Sequence, residues 1–326
     1  MSSSALHERE LFKRKIRLCL IQNNKGGFSL QYLYPAYTLK SGKVRGSTMK
    51  LVRINLNGET RPGIWNDGRI VDLTAFFPSI PDIGEAFFEG GWLSKVAGLR
   101  EEGLQMEARL LSPVFRPSKI ICLGKNYAEH AREGGLDIPS SPLLFCKAPS
   151  ALTGPFDPIV LPVSSGQVDW EVELAVVVGK RCKRISRNGA MDFIAGFTVM
   201  NDVSAREAQF GDTQWFRGKS FDTFAPIGPV LVTPDEIGDI SDLQLTTRVD
   251  GVVMQDGNTR DLIFDIPSLM EYISKDITLY PGDIISTGTP SGVGIFRKPP
   301  VVLQPGNIVE CRIDHIGAII NPVVGA

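Results

Sequence analysis

The sequence predicts a mixed α/β fold dominated by β-structure. Three observations predict it: 33 glycines and 22 prolines are spread along the 326 residues, the apolar runs are short, and Gly, Pro or Asp turns separate them. From Met49, Leu51 and Arg53 alternate with Val52 and Ile54, the period of a half-buried strand. Asn57-Gly58 is a two-residue hairpin turn leading to Gly63-Ile64-Trp65, and Asn66-Asp67-Gly68 is a second turn before Ile70-Val71-Asp72-Leu73. Residues 82–99 read as a helix, with the segment ending near Leu110-Leu111-Ser112-Pro113. Residues 49–113 thus make a small N-terminal domain, near the lower size limit for independent folding and so expected to pack on the rest.

The main body, residues 117–326, opens with Lys119–Gly124, a buried strand running into a glycine turn. Apolar runs follow at Leu174–Val178, Phe197–Met200, Val230–Val232, Leu245–Val249, Ile284–Ser286 and Ile308–Ile313. Their spacing is that of a rolled or sandwiched sheet, and no internal repeat is present. No apolar run reaches the roughly 20 residues of a membrane-spanning helix. Five cysteines, odd in number and without a CxxC pair, point to free thiols in a reducing cytoplasm rather than to disulfides or thiolate zinc.

Residues 1–48 hold nine Lys/Arg against two Asp/Glu, a local +7 in a chain of net charge −1. Their serines, the basic cluster Lys13, Arg14, Lys15 and Arg17 and the lack of periodicity read as a poorly ordered extension. It could be a transit peptide, although Glu8 and Glu10 argue against that, a basic interaction tail, or a segment upstream of a start at Met49. The acidic remainder lacks the basic footprint of a nucleic-acid binder and suits a hard cation.

Asp169-Trp170-Glu171-Val172-Glu173 opens an apolar run with two glutamates two residues apart, which puts both carboxylates on one strand face. Such a pair either faces solvent on an edge strand or shares a cation that relieves the repulsion. A second run ends in Asn201-Asp202, a third acid at a strand end. Three carboxylates without histidine point to Mg²⁺ or Mn²⁺. The chain has only His7, His130 and His315. His130 and Glu133 are i and i+3 on a short helix closed by Gly134-Gly135, an arrangement for general-base work or for an incidental surface pair. Arg206 and Gln209, one helical turn apart and next to Asp202, and Lys219 are candidate oxyanion donors. The loop Thr287–Gly294 lacks the Walker lysine, so its amides and the Thr289 hydroxyl are matched to a small carboxylate instead of a nucleotide.

The ordered blocks GKNYAEHAREG, DWEVELAVVVG, MNDVSAREAQ, GKSFDTFAPIGP and PGDIISTGTPSGVG resemble the fumarylacetoacetate hydrolase superfamily over residues 117–324. The resemblance implies a β-roll catalytic domain, a small N-terminal domain and a homodimer. It also implies Glu171, Glu173 and Asp202 as metal ligands and His130–Glu133 as catalytic dyad. Arg206, Gln209 and Lys219 fall around the reacting carbonyl, with Thr289 and Tyr127 toward the substrate. The namesake enzyme has a longer N-terminal domain and one further acidic ligand, so the short Asn-Tyr-x-x-His form here is closer to smaller relatives. Those include acylpyruvate hydrolases, 2-oxo acid decarboxylases, isomerases or hydratases of aromatic catabolism, and ureidoglycolate lyases. The expected activity is Mg²⁺-dependent C–C hydrolysis of an acylpyruvate or related 2-oxo acid, in the cytoplasm, or in mitochondria for a eukaryotic chain. The rival class is a non-catalytic binding protein that docks a partner through its basic tail.

Overall fold

The structure is a computed structural model that describes residues 49–66, 69–97, 99, 108–135 and 137–326, with the backbone of 17–22 and 28–33. The extension expected over 1–48 and the turn at Asp67-Gly68 lie largely outside the described residues. What is described of the extension is an antiparallel ribbon of β1 (Arg17–Gln22) with β2 (Phe28–Leu33).

The hairpin expected at Asn57-Gly58 joins β3 (Lys50–Leu56) to β4 (Glu59–Asn66), with both turn residues at positive φ as a type I′ turn requires. After β5 (Arg69–Asp72), the single helix expected over 82–99 is two short ones, α1 (Glu85–Glu89) and α2 (Trp92–Val96). Gly90-Gly91 separates them, and Gly91 takes a left-handed φ of 66° that ends one helix and starts the next. Short β6 (Arg109–Leu110) returns to pair with β3.

The main body runs β7 (Ile120–Gly124), α3 (Ala128–Glu133), β8 (Leu143–Lys147), β9 (Leu152–Thr153), β10 (Ile159–Leu161), β11 (Val168–Asp169), β12 (Val172–Val178) and β13 (Ile194–Asn201). It continues through β14 (Ser204–Ala205), α4 (Arg206–Gly211), α5 (Phe216–Lys219), β15 (Ala225–Val232), α6 (Pro234–Ile237), β16 (Gln244–Val249) and β17 (Val252–Asn258). The chain closes with α7 (Ile266–Ser274), β18 (Ile284–Ser286), β19 (Ile308–Ile313) and β20 (Gly317–Gly325).

Among the described residues the large sheet has the order β5-β4-β3-β15-β13-β12-β18-β7-β8, with β6 beside β3 and β9 beside β15. A five-stranded sheet, β10-β20-β19-β16-β17, packs on its central strands β12, β13 and β15. This is the mixed, β-rich architecture that the sequence predicts. The strands of residues 49–113 continue the large sheet through β3–β15 pairing, so that segment shares one core with the body. β12 and β13 are buried along their whole length, because each has the large sheet on both sides and the small sheet above. Helix α7 was not read from the sequence, although Asp265 caps it by accepting from Ser268 N and Pro267 stands in its first turn.

One contact limits how the two central strands meet. At Gly196 in β13, a Cβ would overlap the carbonyl oxygen of Val232 in β15, backbone that cannot rotate away. Gly196→Ala is therefore expected to cost about 1–3 kcal/mol by overpacking. A urea midpoint equal to that of the wild type would mean that the strands separate there freely.

Candidate active site

The two central strands deliver the acidic residues. Glu171 stands immediately before β12 and Glu173 is its second residue, so the pleat points both the same way; Asp202 follows β13 directly. β12 and β13 are antiparallel neighbours with Val172 opposite Asn201, which brings the three acids to one end of the sheet. One carboxylate oxygen from each lies within 4.8 Å of the others, and all three residues are buried.

Backbone bonds fix this end of the sheet. Glu171 N donates to Asn201 Oδ1 at 2.9 Å and Asp202 N to the Glu171 carbonyl at 2.8 Å. The intervening Val172 is clamped at both ends: its N–H donates to Gln255 Oε1 at 3.0 Å, and its carbonyl accepts from Thr289 Oγ1 at 2.8 Å. Gln255 Nε2 in turn donates to Thr289 Oγ1 and to the Pro290 carbonyl. The Thr289 proton is thus committed to β12.

Three cations face the acids. Lys219 Nζ bridges Glu171 Oε2 and Asp202 Oδ2, both at 2.7 Å; Lys147 Nζ donates to Asp202 Oδ1 at 2.6 Å; and Arg206 Nη2 lies 2.7 Å from Glu171 Oε1. Arg206 also grips Asp169 and donates to Gln209 Oε1 at 2.8 Å, leaving the Gln209 amide nitrogen outside this network. Burial by itself would raise Glu171, but Lys219, Arg206 and His130 outweigh it and hold its carboxyl below the usual range. The two lysines diverge for a clear reason. Burial lowers both, yet Lys219 faces two carboxylates and ends above its ordinary value, whereas Lys147 has only Asp202, feels the charge of Lys219 and ends below.

Glu173 has no cation of its own. Its Oε2 accepts from Ser286 Oγ at 2.6 Å and Gly288 N at 2.9 Å, while burial, and then Asp202 and Glu171, push it up to about 8. A carboxylate triad with one member left uncompensated fits a hard divalent cation, which would be held by Glu171, Glu173 and Asp202. Cys122 is no competitor for such a cation. Burial first, then Asp202 and Glu173, push its thiol well up. Of the four cysteines with described side chains, Cys122, Cys182 and Cys311 are buried and Cys146 is exposed.

The His130–Glu133 pair, the candidate dyad, sits on α3, the short helix after β7. His130 Nδ1 lies 3.6 Å from Glu133 Oε2, beyond hydrogen-bond length, and Glu133 accepts from Gly292 N at 3.0 Å. Burial would raise Glu133, but His130, the Gly292 amide and Arg297 together hold it below its usual range. Tyr127, at the N-terminus of the same helix, is buried with its hydroxyl unpartnered. A separate open depression of about 580 Å³, lined by Arg53, Phe115, Arg116 and Asp157, contains none of these residues.

Lys147, Asp169 and Gln255 are the residues that sequence reading missed. Asp169 accepts from Arg206, Trp170 N, Gly294 N and Ile295 N, tying the loop after β18 to the metal-side strand. Its position in the Asp-Trp-Glu-x-Glu run was the one available signal.

Three comparisons bear on this site. The family model for the fumarylacetoacetate (FAA) hydrolase C-terminal region matches residues 119–324. A mitochondrial oxaloacetate tautomerase from Bos taurus is 49% identical over 267 residues, 79% of this chain and 85% of that protein. A 2,4-didehydro-3-deoxy-L-rhamnonate hydrolase from Sphingomonas sp. is 44% identical over 273 residues, 82% of this chain and 94% of that protein. Among solved structures, a fumarylacetoacetate hydrolase from Exiguobacterium antarcticum gives a TM-score of 0.74 at 36% identity, covering 85% of this chain and all of that one. A 2-hydroxyhepta-2,4-diene-1,7-dioate isomerase from Mycobacterium marinum gives 0.68 at 36% identity, covering 85% and 98%.

The Glu173 environment makes stability depend on pH. A carboxyl whose pKa rises on folding, here from 4.5 to about 8, stabilises the fold below the lower value and loses that contribution as pH rises through the upper one. Metal-free protein should therefore lose stability between pH 5 and 8, and Mg²⁺ should raise the Tm more at pH 8 than at pH 5, since cation and proton compete for one carboxylate. Equal Mg²⁺ shifts at both pH values would count against this ligand set, and Glu173→Gln should remove the pH slope in metal-free protein.

Proposed function

The chain belongs to the fumarylacetoacetate hydrolase family, and within it we propose an enzyme that interconverts the enol and keto forms of a short 2-oxo acid, with oxaloacetate as substrate and Mg²⁺ or Mn²⁺ as cofactor. The observation that carries this reading is a single acid–base pair, His130–Glu133, set beside a buried carboxylate triad, in a chain 49% identical to an oxaloacetate tautomerase. Tautomerisation asks for little more than that: one group to move a proton at C3 and an environment that tolerates negative charge on the oxygen at C2.

A divalent cation held by Glu171, Glu173 and Asp202 would supply Lewis-acid stabilisation of the charge that develops on the 2-oxo group. The chain's own residues do the rest. His130 turns Nδ1 toward Glu133, which leaves Nε2 as the atom that takes the proton from C3 in one direction and returns it in the other. Glu133, itself fixed by Gly292 N, orients the imidazole and steadies it when protonated. Lys219 and Arg206 keep Glu171 ionised for the cation while the proton moves.

C–C hydrolysis of an acylpyruvate is the second reading, favoured by the similarity to a Sphingomonas hydrolase that spans 94% of that protein. Here the same Nε2 would take its proton from a water molecule. The mitochondrial names among the relatives favour the transit-peptide reading of residues 1–48 over a cytoplasmic location.

The two reactions separate in one assay. Loss of enol absorbance from fresh enol-oxaloacetate should accelerate with enzyme and Mg²⁺ and return to the buffer rate with EDTA. His130→Ala should slow it by about 10²- to 10⁴-fold while Mg²⁺ binding persists. Pyruvate release from an acylpyruvate panel at the buffer rate completes the expected pattern. The reverse pattern, fast pyruvate release with unassisted enol decay, would put hydrolysis in first place.

A further inference from the structure

Buried polar side-chain atoms normally find partners, so orphans clustered in one place call for a ligand. Two of the orphans belong to α3: the Tyr127 hydroxyl and His130 Nδ1. A third, Arg297 Nε, comes from the loop after β18, which packs against the His130–Glu133 pair. Gly292 N of that loop donates to Glu133, Phe296 lies against the His130 ring with centroids 6.0 Å apart, and the positive charge of Arg297 reaches Glu133. Ile295 N is bonded to Asp169, which shares the Arg206 guanidinium with the metal-side Glu171. The loop carrying Arg297 is therefore docked on both the dyad and the triad.

Arg297 is only partly satisfied. One nitrogen, Nη2, holds the carbonyls of Met254 and Gly292, but among the described residues the guanidinium forms no ion pair. Its charge is felt by Glu133 without an ion pair between them, and its Nε, sealed from water and unbonded, has no partner. The triad and its lysines already account for the carboxylate and oxo group at C1 and C2 of a 2-oxo acid, whereas nothing among them would meet a second acid group.

We propose that Arg297 recognises the distal carboxylate of the substrate and makes the site selective for 2-oxo dicarboxylates over 2-oxo monocarboxylates. A planar guanidinium with a free Nε edge is suited to a carboxylate, and the burial of Nε makes the bond costly to forgo when a neutral group occupies the position. The inference rests on the reading that this site binds a 2-oxo acid, and it assigns Arg297 to specificity rather than to proton transfer.

The test uses binding by compounds that cannot enolise, and because 3,3-dimethyl-oxaloacetate is a β-oxo acid that can lose CO₂, its intact recovery after each titration is part of the measurement. The compounds 3,3-dimethyl-oxaloacetate and trimethylpyruvate have no proton at C3, cannot enolise and differ only in a carboxylate replaced by methyl. Calorimetry on the Mg²⁺-loaded full chain should find the dicarboxylate bound about 10- to 100-fold more tightly. Arg297→Gln retains a donor for Met254 O and should abolish that preference with the affinities for trimethylpyruvate and oxalate unchanged; Arg297→Lys should keep part of it. Equal binding of the two probes by wild type, or a preference that survives Arg297→Gln, would overturn the proposal. So would an equal loss for all three ligands, which would make Arg297 a loop support. If wild-type protein binds neither oxalate nor either oxo acid, the 2-oxo acid reading itself fails and this one falls with it.

Discussion

Everything at the end of the central strands follows from burying three carboxylates within a few ångströms of one another. Each would be expensive to desolvate alone, and their mutual repulsion adds to the cost. The fold answers with Lys147, Lys219 and Arg206, each buried and each bonded to at least one of the acids. Removing one such partner leaves an uncompensated buried charge, typically a loss of about 3–5 kcal/mol. β8, α4 and α5, which carry the three cations, are thereby bound to the ends of β12 and β13 by electrostatics as well as by packing. Glu173 is the member left to a hydroxyl and an amide, and burial with the neighbouring Asp202 and Glu171 pushes it up to about 8.

Asp169 extends the same logic outward. Buried and bonded to Arg206 and to three backbone amides, it turns the loop after β18 into part of the site. The loop must come very close to do this. A Cβ on Gly294 would overlap the Val301 carbonyl and crowd Asp169, and one on Gly292, which sits at φ 104°, would overlap the Met254 carbonyl. Those two glycines let the backbone approach, and the amide of Gly292 is the one that fixes Glu133. Glu133 is thus held by a loop more than 150 residues away in sequence.

What could be read from the sequence was whatever local periodicity encodes. The Glu171/Glu173 pair is a period of two, His130/Glu133 and Arg206/Gln209 are helical spacings, and the apolar runs from Leu174 to Ile313 all became strands. Lys147 and Gln255 were invisible because their meaning lies in partners 55 and 83 residues away, Asp202 and Val172, and nothing around either residue marks it. Thr289 was legible as a functional position but its bonds were not: the hydroxyl braces β12 and Gln255 instead of standing free toward a ligand. The helix expected over 82–99 is broken at Gly90-Gly91, where Gly91 takes a left-handed φ that a continuous helix cannot hold.

Charge bookkeeping links the cofactor and the substrate. Glu171, Glu173, Asp202 and Asp169 face Lys147, Lys219 and Arg206, so the cluster is one negative charge in excess when every acid is ionised and neutral while Glu173 keeps its proton. A divalent cation held by Glu171, Glu173 and Asp202, with every acid ionised, would give the cluster one net positive charge, the sign that attracts a carboxylate. A monocarboxylate would restore neutrality at once. A dicarboxylate would carry a second negative charge into the same low-dielectric space, and Arg297, outside the cluster and in no ion pair among the described residues, is the cation on the docked loop proposed to balance it. On the proposed function, a preference for a second anionic group would then come from the loop rather than from the cluster.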